Sequence, residues 1–187
     1  MTSPIARILI PVSLAASLLG GCASLNTTGQ AAPEPAKRID AARFYSGTWH
    51  EIGRRPMYIT DGCVAGATDY KPRGDGRIEV LDSCRKGSLQ GELKTVGGPG
   101  TILDPGFNAK LRVDYTLYGF PVQRDYWVLD RADDYSWFIS ADPTLRDLYI
   151  FTRSPQIGEA QRKRLVARAA QLGYDVTKLE FPEQLRR

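Results

Sequence analysis

Eight short stretches rich in aromatic and β-branched residues recur along the chain, separated by clusters of glycine, proline and small polar residues. Such regular spacing is typical of an antiparallel β protein. In the clearest stretch, residues 109–117, apolar and polar side chains alternate, which gives a strand one buried face and one solvent-exposed face. The predicted strands cover residues 47–55, 64–71, 77–83, 89–96, 108–117, 122–130, 137–141 and 145–153.

A meander of strands leaves two exposed edges unless the sheet closes on itself. We therefore predict an all-β fold, an eight-stranded antiparallel up-and-down β-barrel. A barrel of this strand number can hold one small ligand. The glycines of residues 73–76 suit a tight hairpin. The Gly- and Pro-rich residues 97–100 and 103–107 are expected to separate the fourth strand from the fifth and to form a mobile loop near the opening.

The pattern changes to a helical period after Pro155. Residues 158–172 place Leu165, Ala169 and Leu172 on one apolar stripe, and the glycine that follows is a natural helix stop. One amphipathic helix must cover its stripe, and the outer face of the sheet is the available partner. The tail, residues 174–181, can add a short edge strand.

The N-terminus predicts export. An apolar run, residues 8–19, follows a single arginine and ends in small residues, as in a secretory signal. The run contains a proline and is shorter than the roughly 20 residues of a membrane-spanning helix, so a permanent transmembrane segment is the weaker alternative. Residues 19–22 resemble the lipobox of bacterial lipoproteins, which implies that Cys22 becomes an acylated membrane anchor. The alternative is an ordinary cleavage site followed by a chance cysteine.

The predicted organisation has three parts: a lipoprotein signal peptide over residues 1–21, a lipidated flexible tether over 22–37 and a barrel domain over 38–187. Residues 23–37 are small, polar and proline-containing, as in flexible linkers. Ala23 replaces the aspartate that retains some lipoproteins at the inner membrane, which implies the periplasmic face of the bacterial outer membrane. The formal net charge of +4 is too small and dispersed to indicate a nucleic-acid partner.

The other two cysteines, Cys63 and Cys84, lie in a chain expected to be exported, where thiols tend to oxidise. We expect them to form one disulfide across neighbouring strands. A metal site is the weaker alternative, because His50 is the sole histidine and no Cys-x-x-Cys spacing occurs. No metal or cofactor is predicted.

Two segments carry a resemblance to a known family. Residues 44–54, FYSGTWHEIGR, resemble the Gly-x-Trp motif that opens the first strand of lipocalins, and residues 149–155, YIFTRSP, resemble the last strand of bacterial lipocalins. The lipobox, the strand count and the single late helix agree with this resemblance. The family's middle motif, a Thr-Asp-Tyr turn, is present in outline at residues 130–135, with a different order and spacing.

The lipocalin resemblance implies that Gly47, Trp49 and Arg153 close the base of the barrel. Glycine lets the chain turn tightly into the strand, and the indole is a large apolar plug. A guanidinium stacked on the indole face contributes roughly 0.5 to 2 kcal/mol, depending on burial. The Gly-x-Trp segment is therefore interpreted as structural.

His50 and Glu51 are adjacent on a predicted strand, so their side chains point to opposite faces. Catalysis would require an acid, a base and a nucleophile to converge, and we predict no catalytic residue. Glu51, which shares a face with Trp49, must be paired or protonated in an apolar lumen. Arg55 is the expected partner, and a structural salt bridge is favoured over a role in ligand polarity.

The leading function hypothesis is a non-catalytic, lipid-anchored carrier. The resemblance implies a fatty acid or lysophospholipid as the ligand, and alternation of the strands places Val113, Tyr115, Tyr126 and Val128 in the lumen beside Glu51. Two alternatives remain open. One is an isomerase that uses a cavity thiol, which a disulfide would exclude. The other is an interaction protein with a filled barrel. The resemblance also allows a homodimer.

Overall fold

The computed structural model describes residues 31–185. The predicted signal peptide, Cys22 and most of the predicted tether lie outside the described residues.

Eight antiparallel strands of the described chain close into a barrel. Each strand pairs with the next one in sequence, and the last pairs with the first, which confirms the predicted up-and-down barrel. The strands are β1 (Gly47–Arg54), β2 (Cys63–Pro72), β3 (Ile78–Lys86), β4 (Leu93–Ile102), β5 (Lys110–Leu117), β6 (Phe120–Arg131), β7 (Trp137–Ala141) and β8 (Leu148–Thr152).

Two α-helices flank the barrel within the described residues, α1 (Ala41–Phe44) before β1 and α2 (Glu159–Gln171) after β8. The late helix is the predicted one. The early helix is a single turn, too short to show a helical period in the sequence. Its signal is Asp40, whose carboxylate accepts a hydrogen bond from the N–H of Arg43 as an N-cap.

Two apolar clusters build the core. One fills the closed end of the barrel around Trp49, and the other lies between the outside of the barrel and α2. Leu165 and Ala169 of α2 are fully buried there, against Leu129 and Ile150 of the sheet, as predicted. All five residues of β8 are buried because this strand has the lumen on one face and the helix on the other.

Residues 103–107 separate β4 from β5 as predicted, but the predicted loop is wrong for residues 97–100 and for its position near the opening. Residues 97–100 lie inside β4, paired with β3. Gly98 is required by a close backbone approach, since a Cβ atom there would lie 2.0 Å from the carbonyl oxygen of Asp114. Residues 103–107 lie at the closed end, where the Phe107 carbonyl accepts a hydrogen bond from the Ile39 N–H at 2.8 Å.

Contacts with the barrel begin before the predicted domain boundary at residue 38. The N–H groups of Ala32 and Ala36 donate to the carbonyls of Pro143 and Leu129 at 2.9 and 3.1 Å. These residues of the predicted tether therefore run along the barrel wall. At the other end, the tail makes a 3-10 turn (Val176–Lys178) and a single β-bridge, between Arg54 and Glu180, in place of an edge strand.

No helix in residues 31–185 is both long enough and apolar enough to cross a membrane.

Candidate functional site

The closed end of the barrel is built around Trp49. The indole is fully buried, and its N–H donates to the carbonyl of Phe44 at 3.1 Å. The rings of Phe44 and Phe138 lie 5.2 and 4.7 Å from the indole, as measured between centroids. The strand enters this layer through Gly47, whose φ of +63° favours glycine.

Arg153, the residue after β8, covers the outer side of the same indole. Its guanidinium carbon lies 3.6 Å from the ring centroid. Its Nη1 atom donates to the carbonyls of Ser46 and Thr48, at 2.8 and 3.0 Å. The side chain thus joins the two ends of the barrel sheet and seals its base.

The turn between β6 and β7 also packs against the closed end. The hydroxyl of Tyr135 accepts a hydrogen bond from the N–H of Asp40 at 2.9 Å. The guanidinium carbons of Arg43 and Arg131 lie 4.4 and 4.3 Å from the centroid of the same tyrosine ring. The outline motif at residues 130–135 therefore holds the segment before β1 in place, despite its unusual spacing.

A cavity of about 680 Å³ occupies the lumen above this base and opens at the opposite end. Its apolar lining comes from strands on all sides of the barrel and from the connection between β1 and β2. Polar groups are interspersed along the wall. The lining includes apolar residues, among them Met57, Val80, Val113, Leu117, Val122 and Phe151, and polar residues, among them Glu51, Thr68, Asp82, Tyr115, Arg124, Tyr126 and Tyr149.

A hydrogen-bonded polar cluster lies halfway up the lumen. Asp82 accepts hydrogen bonds from the hydroxyls of Thr68 at 2.5 Å and Tyr115 at 2.6 Å. The hydroxyl of Tyr126 lies 3.2 Å from that of Tyr115. Burial raises the pKa of Asp82, although the hydrogen bonds from Thr68 and Tyr115 oppose this shift. Burial likewise raises the pKa of Tyr126 to about 12, so the phenol is neutral.

Glu51 lies in the lumen wall, but its expected partner is corrected by the structure. A β-bulge between Glu51 and Gly53 shifts the register of β1 against β8. Arg54, not Arg55, consequently lies on the inner face, where it is buried and donates to Glu51. Burial raises the pKa of Glu51, and the adjacent guanidinium opposes that shift.

Arg54 is satisfied on every side, as a buried guanidinium requires. Its Nε atom donates to the carboxylate of Glu180 at 2.7 Å, and its Nη2 atom donates to the Cys63 carbonyl at 2.9 Å. The Glu51–Arg54 pair is therefore part of the barrel wall.

Arg55 instead contributes to an ion-pair cluster near the mouth. Its guanidinium donates to Asp147 at 2.8 Å, and Arg124 donates to the second oxygen of the same carboxylate at 2.5 Å. Met57 lies beside this cluster, with its sulfur 3.6 Å from the Tyr149 hydroxyl. The charge of Arg124, one of the cations that line the cavity, is thus partly neutralised by Asp147.

Most of the predicted lumen residues line the cavity, with one exception. Glu51, Val113, Tyr115 and Tyr126 do so, whereas Val128 is packed in the apolar cluster below the cavity. The strand alternation was correct, but Val128 lies too near the closed end. Asp82 was missed, although alternation in β3 from the buried Ile78 and Val80 could have placed it in the lumen.

The expected disulfide between Cys63 and Cys84 is present. Both residues border the cavity, so neither offers a free thiol to it. His50 is not among the described residues that line the cavity. Across residues 31–185, no three His, Cys, Asp or Glu side chains are grouped to hold a metal ion.

The chain is similar in sequence and in fold to known proteins. A family model of the lipocalin-like domain matches residues 39–184. The chain is 33% identical to temperature-induced lipocalin-1 of Arabidopsis thaliana, over 81% of this chain and 82% of that protein. It is 25% identical to the outer membrane lipoprotein Blc of Vibrio cholerae, over 91% of this chain and 95% of that protein. The solved structure of insecticyanin from the tobacco hornworm Manduca sexta superposes with a TM-score of 0.64 at 20% identity, covering 84% of this chain and 88% of that one.

Proposed function

Because the chain belongs to the lipocalin family, we propose that it binds a small lipophilic molecule in the barrel lumen and acts as a non-catalytic carrier. The observation that carries this proposal is the cavity of about 680 Å³, sealed at its base by Trp49 and Arg153. Ligand pockets in proteins typically enclose about 300 to 1,000 Å³ and have mostly apolar walls with a few polar groups. The cavity fits that description.

The proposed ligand class is a fatty acid or a lysophospholipid. The deep part of the cavity is walled by apolar side chains, including Val80, Val113 and Phe151, which suit an acyl chain. Polar and charged groups lie further up, at Asp82 and Arg124, where the polar end of an amphiphile would find hydrogen-bond partners.

Mass spectrometry of the folded protein under mild conditions tests the proposal. The strands and helices of the described chain lie between Ala41 and Lys178, so we expect a chain without residues 1–22 to retain the barrel. We expect a stoichiometric lipophilic molecule that solvent extraction removes and that added lipid replaces. Val122→Trp places an indole in the lumen and should abolish binding, whereas Gln123→Trp places the same group on the outer face and should not.

A barrel that is purified empty and does not bind added lipids would contradict the carrier function. It would favour the interaction role, for which the mouth of the barrel offers exposed aromatic side chains. Tyr58 and Tyr118 border the cavity and are 95% and 88% exposed.

We also propose that Cys22 carries acyl chains and anchors the protein at the periplasmic face of the outer membrane. Support comes from the lipobox resemblance of residues 19–22 and from relatives whose names describe outer membrane lipoproteins. Cys22→Ser should move the protein from the membrane fraction to the soluble periplasmic fraction. Ser24→Ala, two residues further on, should leave it in the membrane fraction. Equal membrane association of both variants would refute the anchor.

A further inference from the structure

We propose that, among lipophilic ligands, the lumen selects those whose polar group is a positively charged amine or ammonium, and that Asp82 is the residue that selects them. Of the two ligand classes proposed above, this selection favours a lysophospholipid with an ammonium group over a fatty acid. This inference depends on the proposed binding function.

Asp82 lies where the polar part of a deeply inserted ligand would reach. Its strand neighbours in the sheet are Thr68 of β2 and Val96 of β4. Along β3, it is four residues from the buried Ile78 at the closed end and four from Lys86 at the rim. A ligand that enters from the mouth meets this carboxylate before it reaches the apolar base.

The hydrogen bonds around Asp82 favour its anionic form. Thr68 and Tyr115 each donate to a different carboxylate oxygen. Since the single hydroxyl proton of Tyr115 is used in this way, the neighbouring hydroxyl of Tyr126 donates to Tyr115 in turn. The chain of donors ends on the carboxylate, an arrangement that suits a negative charge.

That charge has no cation beside it. Among residues 31–185, no lysine or arginine forms an ion pair with Asp82, since none has a side-chain nitrogen within 4.0 Å of its carboxylate oxygens. Glu51, the buried carboxylate of the lining, is paired with Arg54. Of the cations nearer the mouth, Arg124 is paired with Asp147 and Lys94 with Glu92, whereas Lys86 at the rim donates to the backbone carbonyl of Asp61. Asp82 is half-buried, and a charge that is partly removed from water without a counter-ion is costly, so a ligand cation would reduce that cost.

The aromatic groups near Asp82 suit the same kind of ligand. Tyr115, Tyr126, Tyr149 and Phe151 all line the cavity. The ring centroids of Tyr126 and Tyr149 are 5.8 Å apart and the ring planes are inclined at 62°, so the two rings present differently oriented faces. Ring faces attract ammonium groups and become more effective when water is excluded. A carboxylate beside aromatic rings therefore favours a cation and disfavours a ligand carboxylate.

Ligands with the same alkyl chain and different charges test the inference. The chain without residues 1–22 would be titrated calorimetrically at pH 7 with dodecylamine, dodecyltrimethylammonium, dodecanol and dodecanoate. We expect the two cations to bind at least about tenfold more tightly than dodecanoate, a difference of about 1.4 kcal/mol. In Asp82→Asn this preference should disappear, while the affinity for dodecanol stays the same.

Asp114→Asn is the matched control, because it removes the same charge from β5, where the carboxylate accepts a hydrogen bond from exposed Gln123. It should keep the preference for cations. Equal affinities for dodecylamine and dodecanoate in the unmodified protein would overturn the inference, as would an unchanged preference in Asp82→Asn. The comparison in the unmodified protein decides whether the lumen prefers cations even if a variant does not fold. Failure of all the ligands to bind would instead overturn the proposed binding function.

A second pair separates two sources of the ammonium group. Lysophosphatidylethanolamine and lysophosphatidylglycerol of equal chain length differ in that only the first carries an ammonium. A preference for the first that requires Asp82 would support recognition of a lipid headgroup. Equal binding of the two, together with a preference for dodecylamine over dodecanoate, would support recognition of a free lipophilic amine.

Discussion

At the scale of single residues, Arg153 combines two interactions that other side chains cannot both supply. Its planar guanidinium stacks on Trp49 while the same group donates to the carbonyls of Ser46 and Thr48. Lysine would keep the charge but would lose the flat stacking surface and the forked set of donors. The closed end therefore depends on the chemistry of arginine as well as on its charge.

We expect Arg153→Ala to lower the free energy of unfolding by about 2 to 4 kcal/mol, through loss of the cation–π contact and the charged hydrogen bonds. Arg153→Lys should recover less than half of this loss. Urea unfolding followed by tryptophan fluorescence measures the effect. Arg164→Ala removes an exposed arginine from α2 and should change stability by less than about 0.5 kcal/mol. Comparable losses in the two alanine variants would contradict the stacking role.

At the scale of elements, strand number and order could be predicted because alternation and turn residues are local signals. Residues 109–117 show this most clearly, and β5 lies within them. Glycine and proline at residues 97–100 misled the prediction because their usual meaning is a turn. At Gly98 the requirement comes from the neighbouring strand, whose backbone lies too close for a side chain. That contact joins distant parts of the sequence and is invisible in a local pattern.

The site was harder to predict than the fold for the same reason. Strict alternation from Trp49 places Arg55 beside Glu51, but one bulged residue in β1 places Arg54 there instead. A bulge reverses the faces of every residue that follows it in the strand. Val128 shows a second limit, because alternation gives the face of a strand but not the depth along the barrel. Asp82 was predictable by face, although its hydrogen-bond partners lie on two other strands.

At the scale of the whole molecule, the polar groups of the lumen set a balance between stability and ligand binding. The pKa of Asp82 is raised from its usual 3.8 because burial disfavours the charged form. The folded state then holds its proton more tightly than the unfolded chain does. This carboxyl group therefore costs no stability below about pH 4, and its cost grows as pH rises through the raised pKa.

Asp82→Asn should consequently make the ligand-free protein more stable at pH 8, by several degrees in Tm, and this gain should vanish toward pH 4. The amide is close in shape to the protonated carboxyl group and can still bond to Thr68 and Tyr115, so the two proteins should become alike in acid. Thermal unfolding of the ligand-free proteins across this pH range measures the difference, with Asp114→Asn as the control that should follow the unmodified protein.

A variant less stable than the unmodified protein at pH 8 would show that the hydrogen bonds outweigh the desolvation of the charge. If the gain is observed, the barrel maintains a carboxylate that weakens its empty form, and a bound cation is the partner that would restore the lost stability.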